Sequence, residues 1–261
     1  MDDRARAFWE SYWPDQAPTT ATLTMSLVLD RIKLEYLRAI LPGDGSSLEV
    51  GCGSARLSCF LARQGYRTVC LDFSRAALGA AEANYRAAAA PGRFVAGDAL
   101  ALPFCDGHFD AVLSTGLLEH FEDPSPVVRE MVRVLRGGGL FYSDIVPRKF
   151  SLFRSLDWTG RVRRFLVGDA GSPETFYERA FTRTEIQRLL EGAGLTGTQV
   201  FPAGVVPPYL PLLSRSPRLR SWQVRCVERT RGFWKRLDNT RLATWLGFYY
   251  FAWGRKPSPH P

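Results

Sequence analysis

The chain lacks the features that mark secreted, metal-binding and membrane-spanning proteins. Its five cysteines include no Cys-x-x-Cys pair and are odd in number, which argues against a zinc site or a disulfide framework and for a reducing compartment. The longest apolar run, Trp245–Trp253, is much shorter than the roughly 20 residues that a spanning helix needs. The first residues have neither the basic nor the apolar region of a signal peptide. We therefore expect a soluble, cytoplasmic protein without a metal site.

The composition is that of a globular protein with an uneven charge distribution. Of the 261 residues, 46% are apolar and 23% are charged, which excludes disordered, collagen-like and coiled-coil chains. Residues 148–261 carry 20 Lys and Arg side chains against eight Asp and Glu, whereas residues 1–147 carry 14 against 18. This asymmetry indicates either an anionic partner for the second half or a solvated basic face.

Residues 46–146 alternate short apolar runs with amphipathic stretches, a pattern typical of a parallel sheet flanked by helices. The predicted strands are Ser47–Val50, Thr68–Leu71, Arg93–Ala96, Phe109–Ser114, Gly139–Asp144, Leu195–Phe201 and Thr244–Gly254. The predicted helices are Ala55–Gln64, Arg75–Ala89, Ser125–Leu135 and Thr182–Gly192. In the last of these, Thr182 and Glu185 have the spacing of a capping box.

Three further segments flank or interrupt this pattern. Residues 1–45 begin with an aromatic cluster and become helical from Thr24, so we expect an N-terminal helical lid before a domain at residues 46–261. Two basic and aromatic segments, near 148–180 and 202–243, are predicted to be lid insertions that cover a pocket.

A glycine turn follows the first predicted strand of the domain. The segment Leu48–Arg56 passes from an apolar strand into Gly-Cys-Gly and then directly into a helix. Glycine permits a sharp turn and a close approach to a ligand, and the helix N-terminus presents free N–H groups. The dinucleotide-binding fingerprint fails here, because its third glycine would fall at Arg56. An acid, Glu49, precedes the first glycine by two residues.

Acids also end the next two predicted strands. Asp72 suits a carboxylate that accepts both ribose hydroxyls of a nucleoside, and Phe73 beside it offers an apolar face to a purine. Asp98 could accept from an exocyclic amine. Alternatively, Asp72 caps the following helix, Asp98 is a turn acid and Phe73 belongs to the core. In open parallel sheets the ligand crevice lies at this edge of the strands.

With these motifs in this order, the sequence resembles the class I S-adenosylmethionine-dependent methyltransferases, in particular their type 11 small-molecule branch. The matching stretches are Leu48–Gly53, Leu71–Ser74, Gly97–Leu100, Leu102–Phe104, Phe109–Val112, Leu118–His120 and Val134–Gly139. The resemblance implies a Rossmann-like α/β fold with a seven-stranded, mostly parallel sheet and helices on both faces. One departure is Ala55, where many members have a third glycine.

The resemblance also implies the residues that contact S-adenosylmethionine and its product S-adenosylhomocysteine. These are Glu49, Gly51, Cys52, Gly53, Asp72, Phe73, Asp98, Ala99, Ser114, Thr115 and Gly116. Glu49 would lie near the ammonium group, Asp72 would hold the ribose and Asp98 would face the adenine amino group. Phe73 and Ala99 would flank the adenine ring, and Ser114–Gly116 would close over the sulfonium side.

The acceptor is less clearly indicated. His120 follows the fourth strand and suits a general base near neutral pH, although it also suits a residue that only shapes the pocket. The candidate acceptor contacts are aromatic and lie in the three flanking segments: Trp9, Tyr12, Trp13, Trp158, Tyr177 and Tyr209. We expect methyl transfer to a small molecule, most readily to a hydroxyl of a natural-product, sugar-linked or lipid-like compound.

Two other functions stay open. An RNA methyltransferase would use the basic second half, but no appended RNA-binding module is evident, so nucleic acid is the less favoured partner. A non-catalytic cofactor-binding protein would retain the fold without turnover. The mixture of arginines and aromatics in the second half also suits an anionic or membrane surface, and either a monomer or a homodimer is compatible with the pattern.

Overall fold

The computed structural model describes residues 3–13, 25–145, 179–206 and 216–258, and within them it contains a seven-stranded sheet. The strands are β1 (Ser46–Val50), β2 (Arg67–Asp72), β3 (Arg93–Ala96), β4 (Phe109–Thr115), β5 (Leu135–Ile145), β6 (Thr196–Ala203) and β7 (Tyr249–Arg255). Their order is β3-β2-β1-β4-β5-β7-β6. The pairs from β3 to β5 are parallel, and β7 is antiparallel to both of its neighbours. The predicted mostly parallel sheet is confirmed.

Helices cover both faces of this sheet. They are α1 (Asp3–Tyr12), α2 (Met25–Ile40), α3 (Arg56–Ala62), α4 (Arg75–Ala87), α5 (Ser125–Val134), α6 (Arg183–Gly192), α7 (Pro217–Lys235) and α8 (Arg241–Leu246). Alternating side chains along a strand point to opposite faces. In β4, Val112 packs with α5 and α6, whereas Ala111 and Leu113 pack with α2, α3 and α7. Both faces of the central strands are therefore buried, as the near-continuous apolar runs predict.

The helix ends follow from local hydrogen bonds. Ser74 caps α4 by accepting from the N–H of Ala77, and Thr182 caps α6 by accepting from the N–H of Glu185. The Glu185 carboxylate in turn accepts from the backbone N–H of Thr182, so the predicted capping box is confirmed. These bonds satisfy N–H groups that the first helical turn cannot use.

The prediction for the last strand is wrong at its beginning. The sequence predicts a strand from Thr244, but Thr244 lies within α8, which Thr240 caps by accepting from the N–H of Ala243. The chain then turns at Gly247, where a Cβ would lie 2.8 Å from the carbonyl oxygens of Ala203 and Ala243. A larger residue does not fit between these carbonyls, and the backbone of Gly247 is extended, so α8 ends before it and β7 begins at Tyr249.

The predicted lid of residues 1–45 divides into two parts. In α2, Val28, Ile32 and Leu37 are buried against the sheet, so α2 is part of the core. The short α1 instead packs against α4. Much of the segment predicted as a lid at 202–243 is the 19-residue α7, which lies over α2. None of the helices in the described ranges is long and apolar enough to cross a membrane.

Candidate functional site

The glycine turn after β1 is the tightest part of the site. Gly51 and Gly53 have φ values of 63° and 51°, in the left-handed region that favours glycine. A Cβ on Gly51 would lie 2.6 Å from Cδ1 of Leu117, and one on Gly53 would lie 2.5 Å from the ring of Trp13. Both glycines are therefore required by backbone conformation and by space, and the turn presents bare backbone to the space in front of it.

Asp72, the last residue of β2, fixes this turn. One carboxylate oxygen accepts from the N–H of Gly53 at 2.9 Å, and the other accepts from the N–H of Ser74 at 3.0 Å. The side chain is buried, and burial raises its pKa even though these hydrogen bonds lower it. A carboxylate offers about four acceptor positions. Asp72 therefore supports the turn and keeps the capacity to accept from a ligand hydroxyl.

Glu49 in β1 links three elements beneath the turn. Its carboxylate accepts from the N–H of Ser58 in α3 and from the hydroxyl of Thr115 at the end of β4, each at 3.1 Å. Only 1% of the residue is exposed, and burial raises the pKa of its carboxyl to about 6. Above that pH, Glu49 is a buried anion at the wall of the site.

Replacing Glu49 by Gln should change how stability depends on pH. Because the pKa of Glu49 rises from an ordinary 4.5 to about 6 on folding, its contribution to stability is complete below pH 4.5 and is lost as pH rises through 6. We expect the wild type to lose about 2 kcal/mol relative to Glu49→Gln over this interval. Urea unfolding at several pH values measures the difference, and parallel pH profiles for the two proteins would contradict it.

The turn and the strand ends surround one cavity of about 300 Å³. Most of the described residues that the sequence predicts for the cofactor, the acceptor and the base line it: Trp9, Tyr12, Trp13, Glu49, Gly51, Cys52, Gly53, Asp72, Phe73, Ala99, Thr115, Gly116 and His120. They come from α1 and the residue after it, from β1, β2 and β4, and from the loops that follow β1 to β4. Residues that are far apart in the sequence therefore line the same cavity.

Two of the predicted residues do not line the cavity. The carboxylate of Asp98 accepts from the N–H of Leu100 in its own turn, which corresponds to the alternative interpretation of a turn acid. The side chain of Ser114 is fully buried between strands, where its hydroxyl donates to that of Ser143 at 2.9 Å. A side chain so placed cannot reach a ligand. The predicted acceptor contacts Trp158, Tyr177 and Tyr209 lie outside the described residues.

Helix α1 closes one side of the cavity and is held there by a carboxylate. The two oxygens of Glu10 accept from the N–H groups of Arg75 and Ala76, at 2.8 and 3.0 Å. These N–H groups open α4, where the helix dipole favours an anion. The same helix places Trp9 at 5.1 Å from the His120 ring, between ring centroids, and Trp13 against the glycine turn.

The cavity is also lined by a group of buried charges, here called the charged wall, that the sequence analysis missed. Lys33 of α2 forms an ion pair with Asp144 of β5 at 2.5 Å and lies 3.7 Å from Asp30. Arg56 donates to Asp30 at 2.5 Å, and all four residues line the cavity. Burial lowers the pKa of Lys33, but Asp144 and Asp30 outweigh it and raise the pKa overall. Lys33 is therefore charged at neutral pH.

Polar atoms in and behind this charged wall have unused hydrogen-bonding capacity. Oδ1 of Asp144 and the hydroxyls of Tyr142 and Tyr249 are buried without a hydrogen-bond partner among the described residues. The ammonium of Lys33 lies 5.5 Å from the centre of the Tyr249 ring. Buried polar atoms of this kind are uncommon in folded proteins and are usually satisfied by water or a ligand. The wall therefore suits a polar group that donates a hydrogen bond.

Comparison with known proteins identifies the central part of the chain. Residues 48–143 match the family described as a methyltransferase domain. Over 141 residues the chain is 34% identical to the methyltransferase GfsG of Streptomyces halstedii, covering 52% of this chain and 50% of the relative. Over 161 residues it is 27% identical to a ubiquinone biosynthesis O-methyltransferase of Xylella fastidiosa, covering 58% of this chain and 61% of the relative.

Solved structures share the fold across nearly the whole chain. A methyltransferase from Thermotoga maritima matches with a TM-score of 0.61 at 17% identity, covering 96% of this chain and 99% of that one. The 1,6-didemethyltoxoflavin-N1-methyltransferase of Burkholderia thailandensis, solved with S-adenosylhomocysteine, matches with a TM-score of 0.55 at 17% identity, covering 97% and 88%. At sequence identities this low, the structural similarity shows a shared fold only.

Taken with the sheet order and the site, these matches define a class I methyltransferase domain built around the glycine turn. The likeness to the methyltransferase-domain family concerns residues 48–143 of the chain. The matched segments span 38% to 61% of the lengths of the first curated relatives.

Proposed function

We propose that the chain transfers the methyl group of S-adenosylmethionine to a hydroxyl of a small molecule. The observation that carries this proposal is the lining of the cavity, which combines a glycine turn and buried acids with the charged wall. A shared space of this kind would bring a cofactor and an acceptor together, which is the main requirement of a direct transfer.

The residues around the glycine turn fit the cofactor. A Cβ at Gly51 or Gly53 would collide with Leu117 or Trp13, so glycine is required there and leaves the backbone of the turn without side chains. Asp72 is placed to accept from ribose hydroxyls, and the Glu49 anion is placed to favour a cationic group above its pKa of about 6. Phe73 and Ala99 supply apolar walls for the adenine ring. Bound S-adenosylmethionine would supply a methyl group already activated by its sulfonium.

The acceptor is proposed to lie between His120 and the charged wall. The hydroxyl to be methylated would face His120, and a second O–H or N–H group of the acceptor would donate to Asp144, whose buried Oδ1 has no partner among the described residues. As the oxygen takes the methyl group, its proton must leave, and we assign that proton to the imidazole of His120, which lines the same cavity. The ring contact with Trp9 would hold the imidazole in place. Helix α1 would exclude water by covering the cavity.

The relatives support oxygen as the acceptor atom and a small molecule as the substrate class. One of them is named a ubiquinone biosynthesis O-methyltransferase. The Burkholderia structure holds a small heterocycle beside S-adenosylhomocysteine, although its name specifies methylation of nitrogen. The charged wall of the present chain accepts hydrogen bonds at carboxylate oxygens, which suits an acceptor that carries O–H or N–H groups.

A labelling experiment tests this function. The protein is incubated with methyl-labelled S-adenosylmethionine and a panel of phenols, catechols, hydroxylated polyketides, glycosides and RNA. We expect label in a hydroxyl compound, with kcat reduced about 100-fold in His120→Asn and binding of S-adenosylhomocysteine retained. Label found only in RNA, or absent with every acceptor despite cofactor binding, would refute the proposal.

A further inference from the structure

Helix α7 presents an apolar stripe to solvent. Leu219, Trp222 and Phe233 are 43%, 55% and 61% exposed. Their spacing of three and eleven residues places them on one side of a helix with 3.6 residues per turn, over a length of about 20 Å. Large apolar side chains in a row are unusual on the surface of a monomeric soluble protein. The stripe therefore needs an explanation beyond chance exposure.

A row of arginines runs beside this stripe. Arg218, Arg225, Arg229 and Arg236 are spaced by seven, four and seven residues, which again corresponds to one side of the helix. All four are exposed, and none forms an ion pair with a described residue. The guanidinium groups therefore form a continuous positive edge along the apolar stripe.

The other side of α7 is different in every respect. Val224 and Val227 are buried against the core. Arg231, on that side, pairs with Asp238 at 2.7 Å, and Lys235 pairs with Glu35 at 2.6 Å. Because this packing fixes the rotation of α7, the apolar stripe and the arginine row cannot turn inward. They also lie away from the cavity, which no described residue of α7 lines.

We propose that this outer face of α7 docks the protein on an anionic lipid bilayer. A surface helix with Trp, Phe and Leu beside arginines lies in the interfacial plane, where the apolar side chains enter the acyl boundary. The arginines then contact the negative headgroups. Each contact is electrostatically favourable and is weakened by salt. This inference concerns a surface separate from the active-site cavity and does not depend on the proposed reaction.

Other occupants fit this face less well. A second copy of the chain, docked symmetrically, would place the two arginine rows together without compensating acids. Single-stranded RNA would use the arginines and would stack on Trp222 or Phe233, but the aliphatic Leu219 gains nothing from such a partner. A bilayer can contact every residue of the apolar stripe and of the arginine row, and for this reason we favour it.

Vesicle co-sedimentation with the full chain tests the docking surface. We expect binding to phosphatidylcholine vesicles that contain phosphatidylglycerol, weak binding to phosphatidylcholine alone, and loss of binding at high salt. The variant Trp222→Ser/Phe233→Ser and the variant Arg225→Gln/Arg229→Gln should each reduce the partition coefficient about tenfold or more. These side chains are exposed, so the thermal melting temperature should stay unchanged.

A matched control removes the same charge elsewhere. Arg86 and Arg188 are exposed on α4 and α6, and Arg86→Gln/Arg188→Gln should bind the vesicles as the wild type does. The proposal is overturned if the wild type does not bind anionic vesicles, or if the control weakens binding as much as the α7 variants. Tighter binding to a single-stranded RNA than to vesicles, lost in the same α7 variants, would also overturn it.

Discussion

Replacing Lys33 by Met should destabilise the protein by about 3–5 kcal/mol at pH 7, because it leaves Asp144 without its partner in a buried site. The side chains of Lys33 and Asp144 are only 12% and 8% exposed, so water replaces the lost ion pair poorly. Asp30 would add repulsion, since it lies close to the same ammonium. Urea unfolding gives the free-energy difference directly.

Two controls separate this effect from a general loss of packing. In the double variant Lys33→Met/Asp144→Asn no buried charge is left uncompensated, so the two changes should cost less than the sum of the single ones. Arg31 lies in the same helix as Lys33 and forms an exposed ion pair with Glu228 of α7. Arg31→Met breaks this exposed pair and should cost less than about 1 kcal/mol. Additive single effects, or an equal cost for Arg31→Met, would contradict the interpretation.

The sequence predicted the site best where one local pattern determines both structure and chemistry. A strand, a Gly-x-Gly turn and a helix lie within nine residues, so the positions of Gly51 and Gly53 follow from short-range geometry. The acid at the end of β2 could be predicted for a similar reason, because parallel strands end at one edge of the sheet. Asp98 also follows the end of a parallel strand, but its carboxylate accepts a hydrogen bond within its own loop. The end of a strand therefore predicts where a residue lies but not the direction of its side chain.

The charged wall could not be predicted in the same way. Lys33 and Asp144 are 111 positions apart, and nothing in the spacing of α2 indicates which strand it covers. Within the charged wall, only Asp144 could have been predicted as a site residue. It is the last residue of the predicted strand Gly139–Asp144, and Asp72 likewise directly follows the predicted strand Thr68–Leu71. The boundary error at Thr244 has a different cause: the cap at Thr240 and the narrow passage at Gly247 override the strand propensity of the apolar run.

The second large effect is expected at Asp72. Replacement by Ala removes the proposed acceptor of the ribose hydroxyls. It also removes the hydrogen bond from the N–H of Gly53 that holds the glycine turn in place. Hydrogen bonds to a charged partner contribute about 1.5–3 kcal/mol each, so the affinity for the cofactor should fall about 100-fold or more. Asp98→Ala is the matched control, because Asp98 also ends a strand region but does not line the cavity.

Calorimetric titration of S-adenosylhomocysteine tests the central claim most directly, with NAD as the competing ligand class. We predict that the wild type and Asp98→Ala bind S-adenosylhomocysteine with a Kd on the order of micromolar, that Asp72→Ala binds it about 100-fold more weakly, and that none of them binds NAD comparably. A wild type that binds NAD in preference, or that binds neither ligand, would contradict the assignment of the glycine turn and Asp72 to S-adenosylmethionine.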